Sequence, residues 1–236
     1  MDRLRTRFVC IAAPAALLAP LLMGCVDNNS TLFIRQMQAP DATGDCVVSD
    51  GEDALHWTEG YFDVSLAQSY GGTLLVGNQL QQRGDEKTGR VETSAVQLYE
   101  AEIETFDHTG GTVSSFTMPT SGYVDGASGI TPSWGLAGVV LIDPGTSGQV
   151  APGQTLISRV KLYGENLGGI EVETGWWDFP IFVCDGCLGC ECPASVDAEY
   201  AVACRPGNNE TVDCREKPCW DPASNNYCGC AIAASP

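Results

Sequence analysis

Nine of the chain's 12 cysteines fall in one 47-residue stretch: Cys184, Cys187, Cys190, Cys192, Cys204, Cys214, Cys219, Cys228 and Cys230. Apolar residues between them are few, so this segment cannot fold by burial alone. Cross-links or a metal must hold it, and the redox compartment decides which. Nine is also an odd number, so the segment cannot satisfy itself by pairing alone.

The compartment is written at the other end of the chain. Arg3, Arg5 and Arg7 form a positive start, and Phe8–Met23 is an apolar run of 16 residues interrupted by Pro14 and Pro20. A bilayer span needs about 20 apolar residues, so this run has the length and flanks of an export signal. Its end, Leu22-Met23-Gly24-Cys25, resembles the lipobox of bacterial lipoprotein precursors. Met before the Gly is a mild departure from the usual small or branched residue. The resemblance implies cleavage before Cys25 and a diacylglycerol on its thiol, with further acylation of the new N-terminus. It makes Cys25 the lipidation site and the membrane the first partner. One acyl chain anchors only marginally, whereas several hold firmly. Val26 stands where lipoproteins retained in the inner membrane often carry Asp, which implies the outer membrane, on its periplasmic or surface face. In composition the remainder is similar to Cys-rich surface lipoproteins of myxobacterial type.

An exported chain arrives in an oxidising space, where thiols become disulfides. Two metal-site patterns compete with that reading. Cys184-x2-Cys187-x2-Cys190-x-Cys192-Pro193 looks like a compressed ferredoxin cluster motif, and its C-x2-C pairs occur in zinc knuckles. Only His56 and His108 are available as nitrogen ligands, and neither lies in the tail. Disulfides are therefore expected, and no metal or other cofactor. With Cys10 in the leader and Cys25 at the anchor, Cys46 is the remaining cysteine, so it is expected to bond one of the nine. That bond would clamp the arm before the body to the tail after it. Cys190–Cys192 and Cys228–Cys230 are not expected to pair with themselves, because a one-residue gap strains the geometry.

Removing Met1–Gly24 takes away three Arg and one Asp, leaving 9 basic and 29 acidic residues and a net charge of −20. Such a charge argues against nucleic acid and anionic lipid heads as partners. The 212 remaining residues suffice for a real core. Short β-type runs recur between Gly, Asp and Thr clusters, which reads as mainly β. The expected organisation is a signal peptide over 1–24, a flexible acidic tether over 25–53 in which Ile34-Arg35-Gln36-Met37 is a candidate edge strand, an antiparallel β-sandwich over 54–183, and a small disulfide-rich, loop-dominated tail over 184–236. The sandwich resembles the immunoglobulin and fibronectin type at the level of fold class, without the Cys–Trp–Cys core signature.

Several strands are legible. Val96, Leu98, Ala101 and Ile103 fit a strand with one phase slip, hence a bulge. Trp134–Ile142 is nearly all apolar and suits a central, doubly covered strand. Leu156, Ser158, Val160 and Leu162 alternate with Ile157, Arg159, Lys161 and Tyr163. Pairing Lys161 with Glu171 and Arg159 with Glu173 would set Val160 opposite Val172, so a hairpin in that register is expected. The same phase puts Trp176 in the core and Trp177 on the face of the acids, where it is expected to pack under the tail; left exposed there, its indole would stack on a sugar or seat a protein partner.

No catalytic constellation stands out. Ser158-x-x-Lys161 and Lys87-Thr88-Gly89 match two motifs of penicillin-binding enzymes, but on a strand Ser158 and Lys161 point to opposite faces, and the motif order is reversed. The acids between Asp41 and Asp53 lack EF-hand spacing. The expected function is a non-enzymatic envelope lipoprotein whose body binds a protein or glycan, or serves as structure. The alternatives are an extracytoplasmic hydrolase using paired carboxylates and a metal-binding tail.

Overall fold

The computed structural model describes residues 31–41, 46–84, 89, 91–188, 204–210, 220–221 and 226–227. It is mainly β, with antiparallel and mixed sheets around one hydrophobic core. The strands are β1 (Leu32–Gln38), β2 (His56–Trp57), β3 (Gly60–Asp63), β4 (Tyr70–Asn78), β5 (Val96–Asp107) and β6 (Thr112–Val124). They continue with β7 (Ser133–Ile142), β8 (Thr155–Asn166), β9 (Glu171–Glu173), β10 (Trp177–Cys184), and the short pair β11 (Trp220–Asp221) and β12 (Asn226–Tyr227). One helical turn, α1 (Pro144–Ser147), follows β7, with Asp143 as its N-cap.

The smaller sheet has the order β2-β1-β4-β7, and the larger β3-β10-β8-β5-β6, with β9 added to β8. All described pairs are antiparallel except β3 with β10. Leu74, Val76, Ala137, Val139 and Leu141 of the smaller sheet face Val96, Ile103, Leu156, Val160 and Ile181 of the larger, all buried. Two hydroxyls bridge the sheets through that core: Thr105 and Ser158 both donate to the Leu141 carbonyl, at 3.3 and 3.1 Å. Ser158 is thus a buried sheet-to-sheet tie, while Lys161 lies on the opposite face, as a strand requires.

The bulge in β5 falls where the phase slip predicts it, between Leu98 and Glu100, and Val96, Leu98, Ala101 and Ile103 all point inward. Three expectations need correction. First, Leu32–Gln38 is no tether. It is the second strand of the smaller sheet, between β2 and β4, and it buries Leu32 and Met37 completely. Its burial pattern departs from strict alternation because a register shift between Ile34 and Gln36 puts Met37 and Gln38 both under cover. Second, β7 ends the hydrogen-bonded order of its sheet. It is nevertheless covered, because β6 lies along it without joining its ladder: Thr120 Oγ1 donates to Gly138 O, and Val140 N to Met118 Sδ.

Third, the hairpin register is displaced. Tyr163 lies opposite Glu173, Gly164 opposite Val172 and Glu165 opposite Glu171. Val160 instead faces Trp177 on one side and Ile103 on the other. The cause is the turn. β8 does not stop at a Gly164–Gly169 loop but runs on to Asn166, whose Oδ1 accepts from Gly168 N and Ile170 N. Gly169 closes the turn at φ +79°, a conformation glycine takes at no steric cost. The displacement is even, so the two faces keep their chemistry: Lys161 reaches Glu173 at 2.7 Å, and Arg159 pairs instead with Asp178 of β10 at 2.8 Å.

Candidate functional site

The outward face of the larger sheet carries a concentrated set of aromatic and charged side chains. β8 supplies Arg159, Lys161 and Tyr163, β5 supplies Glu100, Glu102 and Glu104 as their cross-strand neighbours, and β9 supplies Glu171 and Glu173. Lys161 is the hub. Its Nζ ion-pairs with Glu173, sits 5.3 Å from the Tyr163 ring centre and lies 5.9 Å from that of Trp176. Tyr163 donates its hydroxyl to Glu102 Oε2 at 2.6 Å, and this bond to a carboxylate, with partial burial, pushes the phenol well above its usual range. Trp176 is 41% exposed and Tyr99 43%, so two ring faces are open to solvent among these acids.

The exposed indole is Trp176, which the strand phase assigns to the core. Trp177 is half-buried, stacked on Phe179 with ring centres 5.4 Å apart, and packed against the core. Between β9 and β10 the chain leaves the ladder. Thr174 is buried, and its hydroxyl accepts from Leu162 N while its own N–H donates to Leu162 O. Gly175 and Trp176 then form no ladder pair, and Trp177 re-enters opposite Val160 on the inward face. This irregular step exchanges the roles of the two tryptophans. No strand alternation signals it, because the sequence shows only Thr-Gly between two strand-like runs.

Farther along the same face, Pro180, Ile157 and Phe106 form an apolar row. The Arg159 guanidinium lies 5.4 Å from the Phe106 ring centre and forks onto Asp178, whose carboxylate raises its already high pKa.

Four of the candidate disulfide cysteines lie in the described residues. Cys46 is bonded to Cys204 across 158 residues of sequence, and Cys184 to Cys187. Cys25, Cys190, Cys192, Cys214, Cys219, Cys228 and Cys230 lie outside the described residues. The Cys184–Cys187 turn is organised by Asp63, which is fully buried at the end of β3. Its Oδ1 accepts from Ser65 N, Ser65 Oγ and Gly186 N, and its Oδ2 from Leu188 N. Burial pushes this carboxyl up, but those four donors outweigh it and hold the group below its ordinary value. The Asp63 carboxylate and the two sulfurs lie within 4.8 Å of one another. With the sulfurs joined and the carboxylate oxygens engaged by donors, the trio has the make-up of a capped disulfide turn.

The tail segment 204–210 is built into the body. Asn208 pairs with Phe62 as an isolated bridge, Gly207 O accepts from Asp63 N, and Asn209 N donates to Tyr61 O, so the outer edge of β3 is covered. Asn208 Oδ1 accepts from Gly71 N, and Asn209 Oδ1 accepts from Tyr61 N and from the hydroxyl of buried Tyr70. Nothing in the spacing of Asn208-Asn209 marks them as core residues; an Asn pair in a Gly-containing run reads as a turn.

Among the described residues the carboxyls with displaced titration are Asp63, Glu92, Asp107 and Asp143, and all four are displaced downward. Asp107 and Asp143 organise tight turns, accepting from Thr109 and Gly111 and from Thr146 and Gly145 respectively. Among the described residues no helix is long and apolar enough to cross a membrane. No protein-family model matches the chain, and no curated protein sequence matches it.

Proposed function

We propose that this protein is an exported lipoprotein, anchored to the outer membrane through Cys25, whose body is a non-catalytic carbohydrate-binding β-sandwich of the immunoglobulin- or fibronectin-like class. The observation that carries the binding assignment is the Trp176–Lys161–Tyr163 cluster on the outer face. An exposed indole beside a phenol, with carboxylates and an ammonium already oriented by their partners, is what a sugar needs. The rings stack on its C–H face and the fixed polar groups take its hydroxyls. Glu100, Glu102, Glu104, Glu171 and Glu173 surround the cluster, so the ligand is a neutral or amino sugar, and anionic glycans are repelled.

Export is supported by the leader and by the Cys46–Cys204 and Cys184–Cys187 bonds, which suit an oxidising space.

The test is oligosaccharide binding by the soluble body, read through tryptophan fluorescence on neutral, amino and anionic glycans. Trp176→Ala should weaken binding by about tenfold or more, the scale of losing a tryptophan anchor, with the melting temperature unchanged. Binding that survives Trp176→Ala, or a preference for anionic glycans, contradicts the assignment.

A further inference from the structure

Between the tail segment 204–210 and the β4–β7 ladder lies a cleft of about 500 Å3, within the size range of small-ligand pockets. It lies away from the Trp176 face and is independent of the glycan assignment. One guanidinium, that of Arg205, enters it. Arg205 Nη2 donates to Thr73 Oγ1 at 3.1 Å, its only side-chain hydrogen bond among the described residues, where it also makes no ion pair. Glu210 accepts from the Arg205 backbone N–H, not from its guanidinium. The chain has only 12 basic residues against 30 acidic ones. A half-buried arginine without a carboxylate partner is therefore out of keeping with the rest of the molecule. The other two half-buried cations among the described residues, Arg159 and Lys161, are ion-paired with Asp178 and Glu173, and the unpaired Arg35 and Arg83 are exposed.

The walls explain why the guanidinium stays open. At Gly71, a Cβ would sit 3.0 Å from Val139 O and 3.7 Å from Arg205 Nη1, so glycine leaves the arginine its place. At Gly138 a Cβ would meet nothing within 4 Å, so the ladder there opens directly onto free space. The opposite side is apolar, lined by Met118 and Val140, while Val139 turns its side chain into the core. Val140 N–H is held only by the Met118 thioether at 3.1 Å, a weak acceptor that leaves this backbone donor open to a better one. Arg205 itself is fixed by the adjacent Cys46–Cys204 bond and by Asn208, whose amide ties the segment to Gly71 N and Ser69 O.

We propose that this cleft binds a small organic carboxylate with an apolar body. The carboxylate forks onto the Arg205 guanidinium, the pairing its planar donors favour, and the body lies against Met118 and Val140. A guanidinium alone would suit phosphate equally. The apolar wall selects the amphipathic acid.

The probe is hexanoate, with hexanol and inorganic phosphate as controls, titrated into the disulfide-intact body and followed by amide NMR. Saturable shifts are expected at Gly71, Gly72 and Gly138, with hexanol and phosphate each binding more weakly. Arg205→Gln should weaken hexanoate binding about tenfold or more, the loss expected for a charge-assisted hydrogen bond, and Arg205→Lys should fall between. Wild-type amide dispersion and an unchanged melting temperature show that the variants keep the fold. Absence of saturable shifts at the three glycines overturns the proposal. So does equal affinity in Arg205→Gln, or tighter binding of phosphate or hexanol than of hexanoate.

Discussion

Tyr70 and Asn209 stand 139 residues apart and meet in one hydrogen bond at 3.1 Å, with the Tyr70 ring fully buried between Phe62 and Phe179. Burial pushes the phenol's pKa up, so the hydroxyl stays a donor and needs its acceptor. Asn209→Ala should therefore destabilise the fold by about 1–3 kcal/mol in urea unfolding, the usual range for an orphaned buried donor. Adding Tyr70→Phe to that variant should cost less than Tyr70→Phe costs alone, because the partner is already gone. Asp63 gives a pH signature. Its carboxyl is held below its unfolded value, so its contribution is fully present above a pH of about 4 and is lost as pH falls through the native value. The stability gap between wild type and Asp63→Asn should shrink on acidification across that window; a gap independent of pH would show that the carboxylate charge is not what holds the Cys184–Cys187 turn. At this scale the sequence was a poor guide. Apolar alternation marks which residues are inside, but it says nothing of which polar group satisfies which, and it singles out neither Asn209 nor Asp63.

At the scale of elements, alternation served well where strands were regular and failed where a turn or an irregular step reset the phase. The β5 bulge was legible because Val96, Leu98, Ala101 and Ile103 carry the slip in their own spacing. The β8–β9 register was not, because a ladder displaced by four residues along β8 still lets Lys161 reach Glu173, and Asn166 chose a tighter turn. The contact between β6 and β7 was hidden for another reason. It rests on glycines: a Cβ on Gly135 would lie 2.3 Å from Tyr123 O, and one on Gly122 would lie 2.5 Å from Leu136 O. In both cases the obstacle is backbone, which cannot rotate away. Gly135→Ala should cost about 1–3 kcal/mol, the range for overpacking, in thermal or urea unfolding. Gly138→Ala, with open space at its Cβ, serves as the near-neutral control on the same strand.

At the scale of the whole molecule, the arm strand and the tail segment 204–210 are both built onto the body. β1 lies inside the smaller sheet, 204–210 covers the edge of β3, and Cys46–Cys204 joins the two ends. Parity alone pointed to a bond between Cys46 and the tail, since ten cysteines remain once Cys10 and Cys25 are set aside from the 12. The identity of the partner was not legible, because connectivity depends on three-dimensional proximity. The division into tether, body and tail was too sharp. Low apolar content in 204–210 signals a segment that folds with help, and that help comes from the sheet edge as well as from sulfur. The central claim, an exported and lipid-anchored body closed by disulfides, is tested most directly by the intact mass of natively expressed protein, taken without reductant from the membrane fraction. The account predicts a chain beginning at Cys25 and bearing acyl chains, ten hydrogens lighter than its fully reduced form, with Cys46 and Cys204 in one cross-linked peptide. A chain that keeps Met1–Gly24, or free thiols at Cys46 and Cys204, would contradict it.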